Sequence, residues 1–90
     1  MSKPMIPIVS PGGSMPGVAL YRLYFDAEDA ARKLLDQILR LAPDGRDYAD
    51  NQSLELARAE HRARVEKADL LVHDLHAITE GLARQKESRW

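Results

Sequence analysis

The chain has 90 residues, with 14 acidic and 13 basic side chains and no cysteine. This length allows one domain at most, and the near-balance of charge argues against general binding to nucleic acids or anionic membranes. The missing cysteines exclude disulfides and thiolate zinc sites. The longest apolar runs are far shorter than the ~20 residues of a membrane-spanning helix, and the N-terminus lacks the pattern of a signal peptide. We therefore expect a cytoplasmic protein with no membrane association and no cofactor.

Residues 1–17 are predicted to form an irregular arm. Their prolines and glycines exclude a helix, because proline fixes its own φ and biases the preceding residue to extended conformations. The arm also carries a small apolar patch that includes Ile6 and Ile8. Two interpretations remain open: a disordered leader, or an arm that packs on its own domain, on a second subunit or on another protein. Residues 18–90 form the predicted helical domain.

The segment 18–42 predicts the first helix. Asp26 has the features of an N-cap, since Glu28 and Asp29 follow it and favour the first turn of a helix. The Pro43-Asp44-Gly45 sequence stops the helix. The apolar positions expected to face the core follow a spacing of four and three, with Leu35 widening the stripe: Ala27, Ala31, Leu34, Ile38 and Leu41.

The start of this helix is ambiguous. The segment 18–25 is rich in β-branched and aromatic residues, which predicts a strand. However, Leu20 and Tyr24 continue the helical spacing backward, which predicts a helix beginning near Val18. Tyr21, Tyr24 and Phe25 are interpreted either as core residues or as an exposed patch that binds a partner.

The stretch from Leu54 to Leu82 is expected to organise the fold as a second, long helix that Asp50 or Ser53 caps. No Pro or Gly interrupts it before Gly81. Two interpretations of Gly81 remain open: it bends or ends the helix, or the helix continues through it, as the apolar pattern at Leu82 and Ala83 indicates. Its apolar residues follow a heptad pattern that His61 and Arg64 interrupt. The predicted a positions are Leu54, His61, Ala68, Leu75 and Leu82, and the predicted d positions are Ala57, Arg64, Leu71 and Ile78.

Three polar features of the second helix suggest functions that we weigh against a plain solvated surface. His73 and His76 lie three residues apart beside Asp69 and Glu80, a spacing that resembles a metal site only weakly, because one helix rarely supplies a closed set of ligands. An arginine cluster, Arg58, Arg62 and Arg64, is the candidate surface for nucleic acid, but interleaved glutamates cancel its charge. Trp90, at the end of the chain, is expected either to fray or to dock on a partner.

Together these features predict an all-α fold, an antiparallel helical hairpin with an irregular N-terminal arm. Two helices give a thin core, so dimerisation into a four-helix bundle is expected to complete it. Because no catalytic motif occurs, we expect a small non-enzymatic regulator or inhibitor that binds another protein by direct contact. The alternative is a dimeric nucleic-acid-binding regulator. In size and composition the chain resembles bacterial or phage accessory proteins. The candidate partner-binding residues are Ile6, Ile8, Tyr21, Tyr24, Phe25, His61, Arg64 and Trp90.

Overall fold

The computed structural model describes residues 4–8 and 17–89, with side chains described as far as Gln85. It contains two helices, α1 (Gly17–Leu39) and α2 (Asn51–Arg89), joined by a connection with a 3₁₀ turn at Gly45–Asp47. The helices pack against each other as an antiparallel hairpin with extents of 60 × 22 × 20 Å. No strand occurs in the part of the chain that the structure describes. The predicted all-α hairpin is therefore confirmed.

Helix α1 begins at Gly17, and this resolves the ambiguity over the segment 18–25 in favour of a helix. Asp26 lies well inside α1, so the prediction that it caps the helix is wrong. The physical reason is that Leu20 and Tyr24 are partly buried on the side of α1 that carries Ala31. Burial against a neighbouring element outweighs the weak strand preference of the residues around them.

The side of α1 that faces α2 is rotated from the predicted stripe. Ala27, Leu34 and Leu41 are exposed, whereas Ala31 is buried as predicted. The reason is that α1 is apolar over much of its circumference, so its spacing is compatible with more than one buried face. The buried and half-buried positions of α1 are Leu20, Tyr21, Tyr24, Glu28, Ala31, Leu35 and Ile38, together with the first residue of the helix.

The connection between the helices is stabilised by two aspartates that bond to nearby backbone amides. The Asp44 carboxylate accepts a hydrogen bond from the Arg46 N–H at 3.0 Å. At the start of α2, the Asp50 Oδ1 atom accepts the Ser53 N–H at 2.7 Å, so the predicted cap is Asp50. This backbone hydrogen bond and a second one from the Ser53 hydroxyl lower the pKa of Asp50.

Helix α2 keeps the predicted a positions but only part of the predicted d positions. Leu54, Ala68 and Leu82 are buried, as the heptad pattern predicts. Arg64 and Leu71 are exposed, and the inward positions lie one residue later, at Val65, Val72 and Thr79; Ile78 is also buried. A charged residue in the seam would lose its hydration without a partner. The observed rotation avoids this cost because it places valine at the seam and leaves Arg64 in solvent.

Candidate contact surfaces

The two ends of the hairpin differ in how well they are packed. We call α2 residues 68–85 with the facing part of α1, residues 17–31, the terminal half, and residues 35–67 the loop half. In the terminal half α2 contributes Ala68, Val72, Ile78, Thr79 and Leu82 as buried residues, and Leu82 is fully buried at 0% exposure. In the loop half Leu54 is buried at the start of α2, whereas residues 55–67, all of which the structure describes, include no buried side chain. The core is therefore concentrated at one end.

Two open grooves flank His61 in the loop half. The first groove has a volume of about 490 Å³ and the second about 320 Å³. His61 lines both of them. The other residues of the first groove are Leu35, Leu39, Arg62, Val65, Glu66 and Asp69. Those of the second groove are Ile38, Leu41, Pro43, Tyr48, Ala57, Glu60 and Arg64. The structure thus brings together two predicted partner-binding residues, His61 and Arg64, at the edge of an incompletely filled core.

The rims of the two grooves carry charges of both signs. Arg64 Nη2 lies 3.5 Å from Glu60 Oε2, and both side chains are exposed. Arg58 Nη1 lies 3.0 Å from Glu55 Oε1 one turn earlier. These pairs join residues of the same helix, so they do not tie α2 to α1. Exposed pairs of this kind contribute ~0–1 kcal/mol each, and the local charge is largely self-neutralised.

In the terminal half, His76 ties the two helices together. Its Nδ1 atom lies 3.2 Å from each carboxylate oxygen of Glu28 on α1, and its Nε2 atom lies 3.3 Å from Glu80 Oε1 on α2. Carboxylates only accept hydrogen bonds, so a doubly protonated ring satisfies both contacts.

Glu28, whose side chain is 12% exposed, is the centre of this link. Arg32 donates to its Oε2 atom twice, from Nε at 3.0 Å and from Nη2 at 2.8 Å. Burial raises the pKa of the Glu28 carboxyl, but the hydrogen bonds and positive charges of Arg32 and His76 outweigh burial. The pKa of Glu28 therefore lies below its ordinary value. Sequence analysis did not indicate the contact of Glu28 with His76, because a contact between residues so far apart in the chain leaves no local signal.

The two histidines considered as weak metal candidates have different partners. His73 Nδ1 lies 3.6 Å from Asp69 Oδ2 on an exposed face, whereas His76 points toward Glu28 on α1. Within the described residues, no group of three or more His, Cys, Asp or Glu side chains has an arrangement that could hold a metal ion. The structure therefore uses His76 as a link between helices.

The N-terminal arm contacts the far end of α2 through residues 4–8. The side chain of Ile6 lies directly over Gly81, and the Gln85 side-chain amide donates a hydrogen bond to the Pro7 carbonyl at 2.8 Å. Ile8 is exposed. Helix α2 continues through Gly81 to Arg89, so Gly81 does not end the helix. Sequence analysis missed the contact role of Gly81; the one available signal was a glycine inside an otherwise strong helical pattern.

The predicted aromatic patch is divided between the core and the surface. The rings of Tyr21 and Phe25 are 6.1 Å apart between centroids and tilted by 31°. Tyr21 and Tyr24 are half-buried, while Phe25 is exposed. Their assignment as partner-binding residues stays a prediction. Trp90, another predicted contact residue, lies outside the described residues.

Comparison with known protein families, with curated proteins and with solved structures found no match. The class that the fold defines is an all-α antiparallel hairpin whose arm packs along its longer helix. Over residues 4–8 and 17–89, no helix is long and apolar enough to cross a membrane.

Proposed function

We propose that this chain is a non-enzymatic regulator that binds another protein by direct contact, and that its loop half is the first contact surface. The observation that carries the proposal is the pair of grooves on either side of His61, in the stretch where α2 buries no side chain. When a partner's side chains fill open apolar grooves, apolar surface is removed from water, and this favours binding.

The occupant that fits these grooves best is a second copy of the chain. The first groove combines the apolar side chains of Leu35, Leu39 and Val65 with a rim of Arg62 and Glu66. A surface with an apolar floor and a rim of both signs is self-complementary, because a two-fold axis can place the cation of one copy against the anion of the other. Two hairpins joined in this way form a four-helix bundle, which is the usual means by which hairpins complete a core.

The exposed leucines of α1 support the same partner. Leu34 and Leu39 lie near the end of α1 and Leu41 lies just after it, and Leu41 is 71% exposed. Isolated exposed leucines are ordinary on protein surfaces, but these leucines lie next to the grooves, and Leu39 and Leu41 line them. Their burial in a dimer supplies apolar area that the single hairpin leaves in water.

A contact regulator also needs a surface for the protein that it regulates. Phe25 and Val18 are exposed on α1 in the terminal half, beside the half-buried Tyr21. This aromatic patch lies at the opposite end of the hairpin from the two grooves, so dimerisation through the loop half leaves it accessible. Aromatic side chains are enriched in the energetically important centres of protein interfaces. We assign the regulated protein to this patch.

The test of the first contact is the concentration dependence of mass, measured by sedimentation equilibrium on the full chain. We expect the wild-type chain to dimerise and Leu39→Asp to weaken the dimer at least tenfold, because the dimer would bury a charged carboxylate in place of an apolar side chain. Leu70→Asp is the matched control, since Leu70 is an exposed leucine that lines neither groove. Circular dichroism checks that both variants keep their helices. A wild-type chain that stays monomeric at the highest concentration, or equal weakening by both variants, would contradict the proposed contact.

The alternative, a dimeric nucleic-acid-binding regulator, has no observation that favours it. Arg58 and Arg64 each pair with a glutamate of their own helix, which reduces the field available to phosphates. Nucleic-acid binding therefore stays a prediction. Binding to duplex DNA that weakens strongly as the salt concentration rises would support it.

A further inference from the structure

Gly81 forms a notch that the side chain of Ile6 fills. A Cβ atom added to Gly81 would lie 2.5 Å from Cδ1, 2.7 Å from Cγ2 and 3.0 Å from Cγ1 of Ile6. Non-bonded carbon atoms reach their best separation at about 3.5–4.0 Å, so all three distances are too short for any residue larger than glycine. Three carbons of the branched side chain surround the same point, and rotation of one methyl group does not remove the clash. A Cβ atom at position 81 would therefore require the Ile6 side chain to shift.

A second contact fixes the neighbouring residue of the arm. The Gln85 side-chain amide donates a hydrogen bond to the Pro7 carbonyl at 2.8 Å. Gln85 lies four residues after Gly81, on the same side of the helix. Consecutive turns of α2 thus hold consecutive residues of the arm, one through shape and the other through a hydrogen bond. This pairing defines both the position and the direction of the segment on the helix.

The chemistry of the arm suits this surface. Pro7 biases Ile6 toward an extended backbone, and Pro4 fixes its own φ. Proline also lacks an N–H donor, so the arm brings fewer unpaired donors to a helix whose backbone groups already bond to one another. A groove of about 240 Å³, lined by Pro4, Ile6, Ala77, Glu80, Gly81 and Arg84, remains open alongside the contact. An extended, stiff segment of this kind loses little conformational entropy when it binds.

The notch lies beside the seam between the helices. Ile78 and Leu82 are buried, and at ~100° per residue Gly81 lies roughly 60° around the helix from Ile78 and roughly 100° from Leu82. The arm therefore covers α2 on a side that adjoins the seam.

We propose that Gly81 and Gln85 form a recognition site for an extended, proline-flanked isoleucine segment, and that residues 4–8 of the same chain are its ligand. The absence of a Cβ atom at Gly81 makes room for the branched side chain of Ile6, and the Gln85 amide donates a hydrogen bond to the Pro7 carbonyl. This inference does not depend on the proposed function, because the notch shares no residue with the grooves around His61.

The test uses the full chain and a fluorescent peptide that carries the sequence of residues 2–10. We call the double variant Ile6→Asp, Ile8→Asp the vacated chain. Its arm has no branched apolar side chain at these two positions that could fill the notch. Fluorescence anisotropy then measures how tightly the peptide binds to the wild-type chain, to the vacated chain and to the vacated chain with Gly81→Ala. Alanine is a better helix former than glycine, so Gly81→Ala adds the Cβ atom without weakening α2. The matched control is the vacated chain with Ala59→Ser, a substitution at an exposed position elsewhere on α2.

We expect the vacated chain and its Ala59→Ser control to bind the peptide equally, and at least tenfold more tightly than the wild-type chain, whose own arm competes. Gly81→Ala in the vacated chain should also weaken binding at least tenfold, as should a peptide with Ile6→Ala. Equal binding to the wild-type and vacated chains would show that the arm does not occupy the site. Unchanged binding with Gly81→Ala, or no binding to the vacated chain at millimolar peptide, would overturn the proposal.

Discussion

The terminal half and the loop half of the hairpin are built from the same two helices but differ in what covers them. At the terminal half, the arm covers Gly81 and the Glu28–His76 contact joins α1 to α2. At the loop half, the ion pairs among the described residues lie within α2 or within the connection, and two grooves stay open beside His61. Two helices cover only one stripe of each other. The comparison shows that the densely packed half of this chain is also the half that the arm covers and in which Glu28 and His76 join the two helices.

The largest difference between the two halves is expected when one leucine is truncated in each of them. Leu82→Ala should lower the free energy of unfolding by about 3 kcal/mol, because it leaves a cavity at a fully buried position. Leu35→Ala should cost only about 1 kcal/mol, since Leu35 is half-buried beside an open groove. Urea unfolding, followed by circular dichroism at a low and fixed protein concentration, gives both values. Equal costs would show that the two halves are packed alike.

Amide hydrogen exchange sharpens the comparison without any substitution. We expect the amides of residues 68–82 to exchange at least ~10-fold more slowly than those of residues 55–66, because local opening is easier where few side chains are buried. Mass spectrometry of peptic fragments, with the chain kept dilute, separates the two stretches of α2. The same protection along both stretches would mean that α2 opens as one unit and that the grooves do not mark a weaker half.

A smaller effect is expected from the link between the helices. Glu28→Gln should lower the free energy of unfolding by about 1 kcal/mol, after allowance for solvent screening, because it removes the charge that Arg32 and His76 share. Glu80→Gln is the matched control: Glu80 also contacts His76, but its side chain is 55% exposed. We expect it to cost less than about 0.5 kcal/mol. A control that costs as much as Glu28→Gln would remove the special role of the cross-helix contact.

The smallest effect concerns acid. A carboxyl whose pKa is lowered on folding stabilises the folded state above its ordinary pKa, about 4.3 for glutamate, and this stabilisation is lost as the pH falls through the lower folded value. Glu28 has such a lowered pKa. The wild-type chain should therefore lose more stability than Glu28→Gln between about pH 5 and pH 3. Thermal unfolding midpoints across this range measure the difference, and parallel curves would count against the link.

Some of these features were predictable because their causes are local. The Pro43-Asp44-Gly45 sequence predicts the break between the helices, although α1 already ends at Leu39, and Asp50 caps the second helix through an amide three residues away. The buried a positions Leu54, Ala68 and Leu82 follow from spacing along one helix. Of the candidate site, only its members His61 and Arg64 were anticipated. The grooves themselves depend on where α1 lies against α2, and neither helix encodes that alone.

The sequence by itself determined that this chain forms a helical hairpin, which residues connect its two helices, and which row of α2 is buried at the a positions. Proline, glycine and capping side chains act within a few residues, so their effects can be predicted without the fold. Only the tertiary structure decided that Val65 and Val72 replace Arg64 and Leu71 at the seam and that Glu28 meets His76. It also decided that Ile6 fills the notch at Gly81. Each of these contacts joins residues far apart in the chain. Which side chain is buried there depends on how the helices and the arm pack together, and a local sequence pattern does not specify that packing.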